Sequence, residues 1–225
     1  MSLFPAHWPV EHPDRLQVYS LGTPNGVKVS IALEELGLPY ELHKVQFGKR
    51  EQFEPSYLAL NPNNKIPSLV DPDGPGGEPL GIMESAAILH HLANKTGKLI
   101  PADAAKANEV LQWMFFQVGS VGPMFGQYGH FAKFAPQDQD HSYALERYTV
   151  EAKRILAVLE TRLTGRDWIV DDFSIADILI APWIGAFSYY GGPIQEALPE
   201  YKNVSAYLER FNARPGVQRG VAAFD

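Results

Sequence analysis

Hydrophobic spacing divides the chain near residue 100. Before that point, short apolar runs alternate with stretches of helical period. LQVYS, from Leu16, has the composition of a strand. From Pro24 to Gly37 the spacing predicts a helix. Val27, Ile31 and Leu38 lie near one face, Val29 and Leu33 widen it, and Gly37 stops it. YELHKVQF alternates Tyr40, Leu42, Val45 and Phe47, as a half-buried strand does, with an irregularity after His43 and Lys44. An irregular or helical linker follows. IPSLVD and PLGIM are two further strands, joined as a hairpin by the Gly/Pro-rich DPDGPGGE. Glu84 to Lys95 is a helix ending near Gly97, with Ile88, Leu89 and Leu92 on its apolar side. The order βαβ, linker, ββα predicts a parallel pair with a right-handed crossover, closed by an antiparallel hairpin. That small mixed sheet is a thioredoxin-like arrangement.

After LIPAD, helical periods replace strands: Ala104 to about Tyr128, Ser142 to Leu163, Ser174 to about Tyr189, and Tyr201 to Ala213. SIAD, at 174–177, has the form of a capping box. Trp113, Phe115, Phe116, Trp183 and Phe187 are expected mostly in the core of this bundle. Gly119, Gly122, Gly126 and Gly129 interrupt the first helix. They read either as a kink or close approach, or as a helix ending near Gly119 and a loop. The expected organisation is an arm at 1–15, an α/β domain at 16–97 and an all-α domain at 103–225. The arm, with three prolines, reads as a surface tail or as a tie between subunits.

Composition narrows the chemistry. The 225 residues include no cysteine, so disulfides, thiolate metal sites and a protein-borne cysteine nucleophile are excluded. The net charge of −7 and the lack of a basic stripe argue against nucleic acid. No run is long and apolar enough for a bilayer, and the first residues lack the form of a secretory signal. The seven histidines form no HExxH, and GxGxxG, Walker and GxSxG patterns do not occur, so no metal is expected.

Three stretches are candidates for binding an anionic ligand. In SLGTPNG, Thr23 suits the N-cap, Pro24 the first helical position, and Asn25 offers an amide in the first turn. Gly26 there would let a ligand approach the backbone. Helix-start chemistry alone explains the same residues. In NPNNKIPSLV, a proline opens a strand, which can leave the preceding backbone free, and Ile66–Pro67 is a candidate cis peptide. In MESAAILHHLA, Glu84 and Ser85 stand at a helix start, where they can hold a carboxylate or simply cap.

Together these stretches resemble the glutathione transferase superfamily from Leu16 onward, through KIPSLVD, ESAAIL and FSIADI. The resemblance is closest to the nu-class, or disulfide-bond reductase, branch. It is carried by TPNGVKVSIALEE, FGKREQF, NPNNKIP and, most specifically, LQWMFFQVGSVGPMFGQYGHF. It implies the cytosolic glutathione transferase architecture, a homodimer in the cytoplasm, and glutathione or its disulfide as ligand. The backbone of Ile66, before a cis Pro67 and beside Lys65, would pair with the cysteinyl part. Glu84 and Ser85 would hold the γ-glutamyl end, and Gln52 the glycyl end. Asn25 and Thr23 would sit beside the sulfur, and Arg147 would reach a ligand across the dimer. Tyr19 and Ser20 are alternative sulfur partners. For Tyr19, core packing is the competing reading.

A free thiol has a pKa near 8.5, so only about 3% is ionised at neutral pH. Lowering it by two units takes about 2.7 kcal/mol. A helix start supplies at most ~2 kcal/mol and one hydrogen bond to the anion roughly 1.5–3 kcal/mol, which together suffice. The implied activity is thiol–disulfide exchange between ligand sulfurs, with conjugation to an electrophile sharing its first step. The second substrate, a small disulfide or electrophile, would lie between the domains against Met114, Phe115, Met124, Phe125 and Tyr128. A non-catalytic glutathione-binding regulator on the same fold is the alternative.

Overall fold

The computed structural model describes residues 3–136 and 138–225. Its elements run β1 (Leu16–Ser20), α1 (Gly26–Leu36), β2 (Tyr40–Lys44), two 3-10 turns, α2 (Pro55–Leu60), β3 (Ser68–Asp71), β4 (Leu80–Met83) and α3 (Ser85–Thr96). Then follow α4 (Ala104–Phe116), α5 (Gly122–Gly129), α6 (Ser142–Arg162), α7 (Ile175–Gly185), α8 (Phe187–Tyr190), α9 (Gly192–Ala197), α10 (Lys202–Asn212) and α11 (Pro215–Ala222). The chain forms two compact units. The first runs to Lys98 and includes Pro215–Asp225, and the second is Leu99–Arg214.

In the first unit, the sheet order is β2-β1-β3-β4, with β1 parallel to β2 and antiparallel to β3. Strand β1 is buried along its whole length, as its apolar run requires. The strand read in YELHKVQF covers only its first half. Val45 still donates to Ser20 C=O at 2.9 Å, but a 3-10 turn starts at Phe47, which is exposed.

Helix α1 ends as Gly37 implies, with φ 68° and its N–H on Leu33 C=O. Residues 28–33 of α1 are all buried, because β1, α3 and α11 all pack on it. The last of these was unexpected. Residues 215–225, assigned from sequence to the helical domain, belong to the first unit. Ser30 Oγ donates to Gly220 C=O at 2.6 Å, and Arg219 pairs with Glu34 at 2.7 Å. A Cβ on Gly220 would stand 2.5 Å from Ile31 N and Cα, so only glycine allows this approach. Beyond α11, Lys44 Nζ donates to the carbonyls of Phe224 and Asp225 at 2.8 and 3.0 Å.

The N-terminal arm is likewise neither a loose tail nor a separate piece. Trp8 is buried in a cluster with Tyr19, Val45, Tyr57, Leu60, Ile66 and Val70, and its indole donates to Lys44 C=O at 3.2 Å. The Glu41 carboxylate accepts from the N–H groups of Glu11 and His12 at 2.9 and 2.8 Å. Two large aromatic faces and a paired carboxylate outweigh the entropy that keeps most termini loose.

In the second unit, the backbone stays helical from Ala104 to Phe134, widening into π turns at Gln117–Val121 and His130–Phe134. The helix therefore does not end at Gly119, and close approach explains two of the glycines. A Cβ at Gly122 would stand 2.8 Å from Gln117 Nε2, and one at Gly129 2.7 Å from the Tyr190 ring. The capping box forms: Ser174 Oγ accepts from Ala176 N–H at 3.3 Å, and Asp177 accepts from Ser174 N–H at 2.8 Å. Trp183 and Phe187 are buried as expected, but Phe115 is 73% exposed and no part of the core. No helix among the described residues is long and apolar enough to cross a membrane.

Candidate functional site

The three stretches singled out in the sequence all fall in the first unit, at the ends of α1, β3 and α3. At the first, Thr23 is bonded as an N-cap. Its Oγ1 accepts from Gly26 N–H at 3.1 Å and its C=O from Val27 N–H at 3.0 Å. Those two N–H groups are engaged internally, so the helix start offers a ligand fewer backbone donors than the sequence implied. What remains is side-chain chemistry. Because Thr23 Oγ1 accepts along the chain, its own O–H is left to donate elsewhere.

Gly26 does not make room for a ligand. A Cβ there would stand 1.8 Å from Leu21 C=O and 2.7 Å from Ser20 Oγ, so the glycine lets the first turn of α1 press on the end of β1. Asn25 makes no side-chain cap bond. Its Oδ1 accepts instead from Lys28 Nζ at 2.7 Å. Lys28 is fully buried, and burial pulls its pKa down to about 7 while the charge of Glu84 pushes the other way. Lys28 was missed from the sequence, where a lysine three residues into a helix reads as surface.

Tyr19 is fully buried, stacked on His43 with ring centroids 4.6 Å apart. Its hydroxyl and that of Ser20 have no hydrogen-bond partner among the described residues. Burial, and then Glu41, raise the Tyr19 phenol far above its ordinary value. For Tyr19 this burial favours the core-packing reading.

At the second stretch the Ile66–Pro67 bond is cis. The residues before it are held by a buried polar knot that sequence reading also missed. Lys65 C=O accepts from Tyr57 Oη and Asn61 Nδ2, both at 2.7 Å, and both side chains also reach Ser68 Oγ at 3.2 Å. Burial moves the Tyr57 phenol up to about 12, so it stays a donor. The knot fixes the Ile66 backbone, while the Lys65 side chain is exposed.

At the third stretch, Glu84 has φ 71° and ψ 119°, a left-handed conformation costing a non-glycine residue roughly 1–3 kcal/mol. Its side chain caps nothing, so capping does not explain it; only its C=O takes up a helical bond, from Ile88 N–H at 2.9 Å. Ser85 beside it is nearly buried. Gln52, in the 3-10 turn Glu51–Phe53, has a buried Oε1 with no partner among the described residues.

The residues expected to meet the second substrate fall in the second unit, and two of them are corrected. Phe125 and Tyr128 are fully buried. Phe125 packs on Phe187 at 4.6 Å, and Tyr128 Oη donates to Gly191 C=O at 2.6 Å and accepts from Ile194 N–H at 3.1 Å. Both side chains hold the bundle together and offer no wall to a ligand. Met124 and Arg147 do share an open cavity of about 630 Å³, with Tyr143, Tyr148, Val150 and Glu151.

Comparison with known proteins places the whole chain. Residues 23–95 match the glutathione S-transferase N-terminal domain family and residues 121–215 the C-terminal domain family. The chain is 44% identical over 202 residues to the disulfide-bond oxidoreductase YfcG of Escherichia coli, covering 89% of this chain and 91% of that protein. Among solved structures, a glutathione transferase from Burkholderia graminis with two glutathione molecules bound per subunit superimposes with a TM-score of 0.94. It is 53% identical, with 96% of this chain and 91% of that one covered. One from Pseudomonas putida, with one glutathione disulfide bound per subunit, has a TM-score of 0.93 at 48% identity, covering 96% and 94%. With both halves matched and the relatives spanning nearly its whole length, this chain belongs to the glutathione S-transferase superfamily.

Proposed function

We propose that the protein is a glutathione-dependent disulfide-bond oxidoreductase that uses only ligand sulfur. The observation carrying this reading is that Thr23 Oγ1 and Asn25 Oδ1 both accept within the chain at the start of α1, Asn25 from a buried lysine, so that the Thr23 O–H and the Asn25 NH₂ take the donor role, in a chain with no cysteine. A dithiol cycle on the protein is chemically impossible here. Two glutathiones supply the electrons instead. The thiolate of the first attacks a substrate disulfide, forming one S–S bond as the old one breaks and expels a thiolate. The second glutathione attacks the resulting mixed disulfide, giving glutathione disulfide and the second substrate thiol. The likeness to YfcG, and to relatives holding two glutathiones or one glutathione disulfide, supports this stoichiometry.

The first unit's residues take matching roles in this proposal. Thr23 O–H and the Asn25 amide donate to the sulfur anion. The backbone of Ile66, fixed by the Tyr57–Asn61–Ser68 knot, pairs with the cysteinyl residue, with Lys65 alongside. Glu84 and Ser85 receive the γ-glutamyl end, which gives a purpose to the Glu84 backbone strain. Gln52 meets the glycyl end. In the second unit, Arg147 and Met124 face a ligand held by the other copy of a cytoplasmic homodimer. The electrostatics suffice: each donor to a charged sulfur contributes roughly 1.5–3 kcal/mol, against about 2.7 kcal/mol for a two-unit shift.

The test is reduction of hydroxyethyl disulfide by glutathione. Asn25→Ala should lose about 10²-fold or more in kcat, the scale for removing one preorganised donor to a developing anion. Glutathione binding without turnover in the wild type would refute the enzyme and leave a binding protein.

A further inference from the structure

We propose that Lys28 is a positioning residue that dictates which end of the Asn25 amide faces the ligand's sulfur. A primary amide has two ends of opposite polarity and nearly equal shape. A half-turn about its last bond would present an oxygen where a donor is needed, replacing attraction of the sulfur anion by repulsion. An ammonium group has donors only, so the amide atom it contacts at 2.7 Å must be the oxygen. The NH₂ end is thereby turned away from Lys28. Complete burial keeps the ammonium from swinging into solvent, so while Lys28 is charged the amide is held with its oxygen towards it.

The charges around Lys28 fit this role. Glu84, before α3, is the acidic group whose charge acts on it. From α11, Arg219 is engaged with Glu34, at the far end of α1 from Lys28. From β2, Lys44 is engaged with the carbonyls of Phe224 and Asp225. Burial pulls the Lys28 pKa down to about 7, and a neighbouring anion would push it back towards the ammonium. A thiolate held by Asn25 therefore stabilises the very charge that keeps the amide correctly turned, and the two ionisations reinforce each other.

This inference rests on the proposed function, and the test separates the two. Glutathione affinity is measured by calorimetry and the ionisation of its bound thiol by ultraviolet thiolate absorbance across pH, in wild type, Lys28→Met, Asn25→Ala and the double variant. Lys28→Met should raise the bound-thiol pKa by about one unit and move the acid limb of kcat/KM upward equally, as loss of one charge-linked contact does. In the Asn25→Ala background, Lys28→Met should shift the thiol by less than half as much, because most of its effect passes through the amide and only the direct attraction between the two charges remains. Should Lys28→Met not fold, Lys28→Gln is read in the same way, since its amide no longer forces a donor-only contact. A variant that loses thermal stability while its bound thiol titrates as in wild type would overturn the proposal. So would an undiminished shift in the Asn25→Ala background. Failure of wild type to bind glutathione would overturn the proposed function itself.

Discussion

Replacing Gly26 by alanine adds one methyl group at the seam between β1 and α1. That carbon would stand 1.8 Å from Leu21 C=O, 2.7 Å from Ser20 Oγ and 3.0 Å from the Leu21 carbonyl carbon, where real Cβ atoms keep beyond 3.0 Å. The first turn of α1 must therefore retreat by more than an ångström, and the obstacle is backbone, which cannot rotate aside. Two effects follow. Overpacking of this kind costs about 1–3 kcal/mol of stability. Displacing Thr23 and Asn25 by about 1 Å from their working position costs on the order of 10²-fold in rate. Urea unfolding gives the first quantity and hydroxyethyl disulfide reduction by glutathione the second. If Gly26→Ala kept both its unfolding midpoint and its turnover, the claim that the glycine lets α1 press on β1 would be wrong.

Tyr19→Phe should retain most of its activity and unfold within about 0.5 kcal/mol of wild type, because the phenol is buried without a partner; a collapse in turnover would make Tyr19 the sulfur's partner. Asp177→Ala strands the buried N–H groups of Ile169 and Ser174, 2.9 and 2.8 Å from its carboxylate, and should cost roughly 2–6 kcal/mol in urea unfolding. Burial lowers the His43 pKa, so the folded protein resists a proton that the unfolded chain accepts below about pH 6.5. Stability should therefore fall as pH drops through that value, and the slope of Tm against pH should be shallower in His43→Gln. Equal slopes would show that His43 stays free to protonate in the fold.

The parts of the molecule legible in the sequence are those governed by local rules. Gly37 stops α1, SIAD opens α7, and helical spacing locates α6 and α10 within one or two residues, because caps and periodicity depend on neighbours along the chain. Ile66–Pro67 and Glu84-Ser85 were candidates on local grounds, a proline opening a strand and a helix start, but only words shared with a family assigned them a ligand. What escaped depends on long-range contact. Lys28 lies in a helix whose residues 28–33 are buried without a break, and nothing local shows that α11 closes the third side. A signal did exist: Val27, Val29, Ile31 and Leu33 surround Lys28 and leave α1 no continuous polar face at its start. The Tyr57–Asn61–Ser68 knot spans a turn whose shape is not written in its composition. Phe125 and Tyr128 carried the composition of a pocket but lie on the inward face, a distinction that period alone does not make.

The return of α11 to the first unit also ties the order of biosynthesis to the site. A ribosome completes the strands and helices up to Lys98 long before it makes Pro215–Asp225, yet α1 keeps an uncovered side until that segment arrives. Throughout that interval Ser30 and Ile31 stay open to solvent or to a chaperone. The donors at the head of α1 therefore gain their full packing only once Pro215–Asp225 has been made, so a chain stalled in its helical half would carry every proposed glutathione-binding residue and still lack that support.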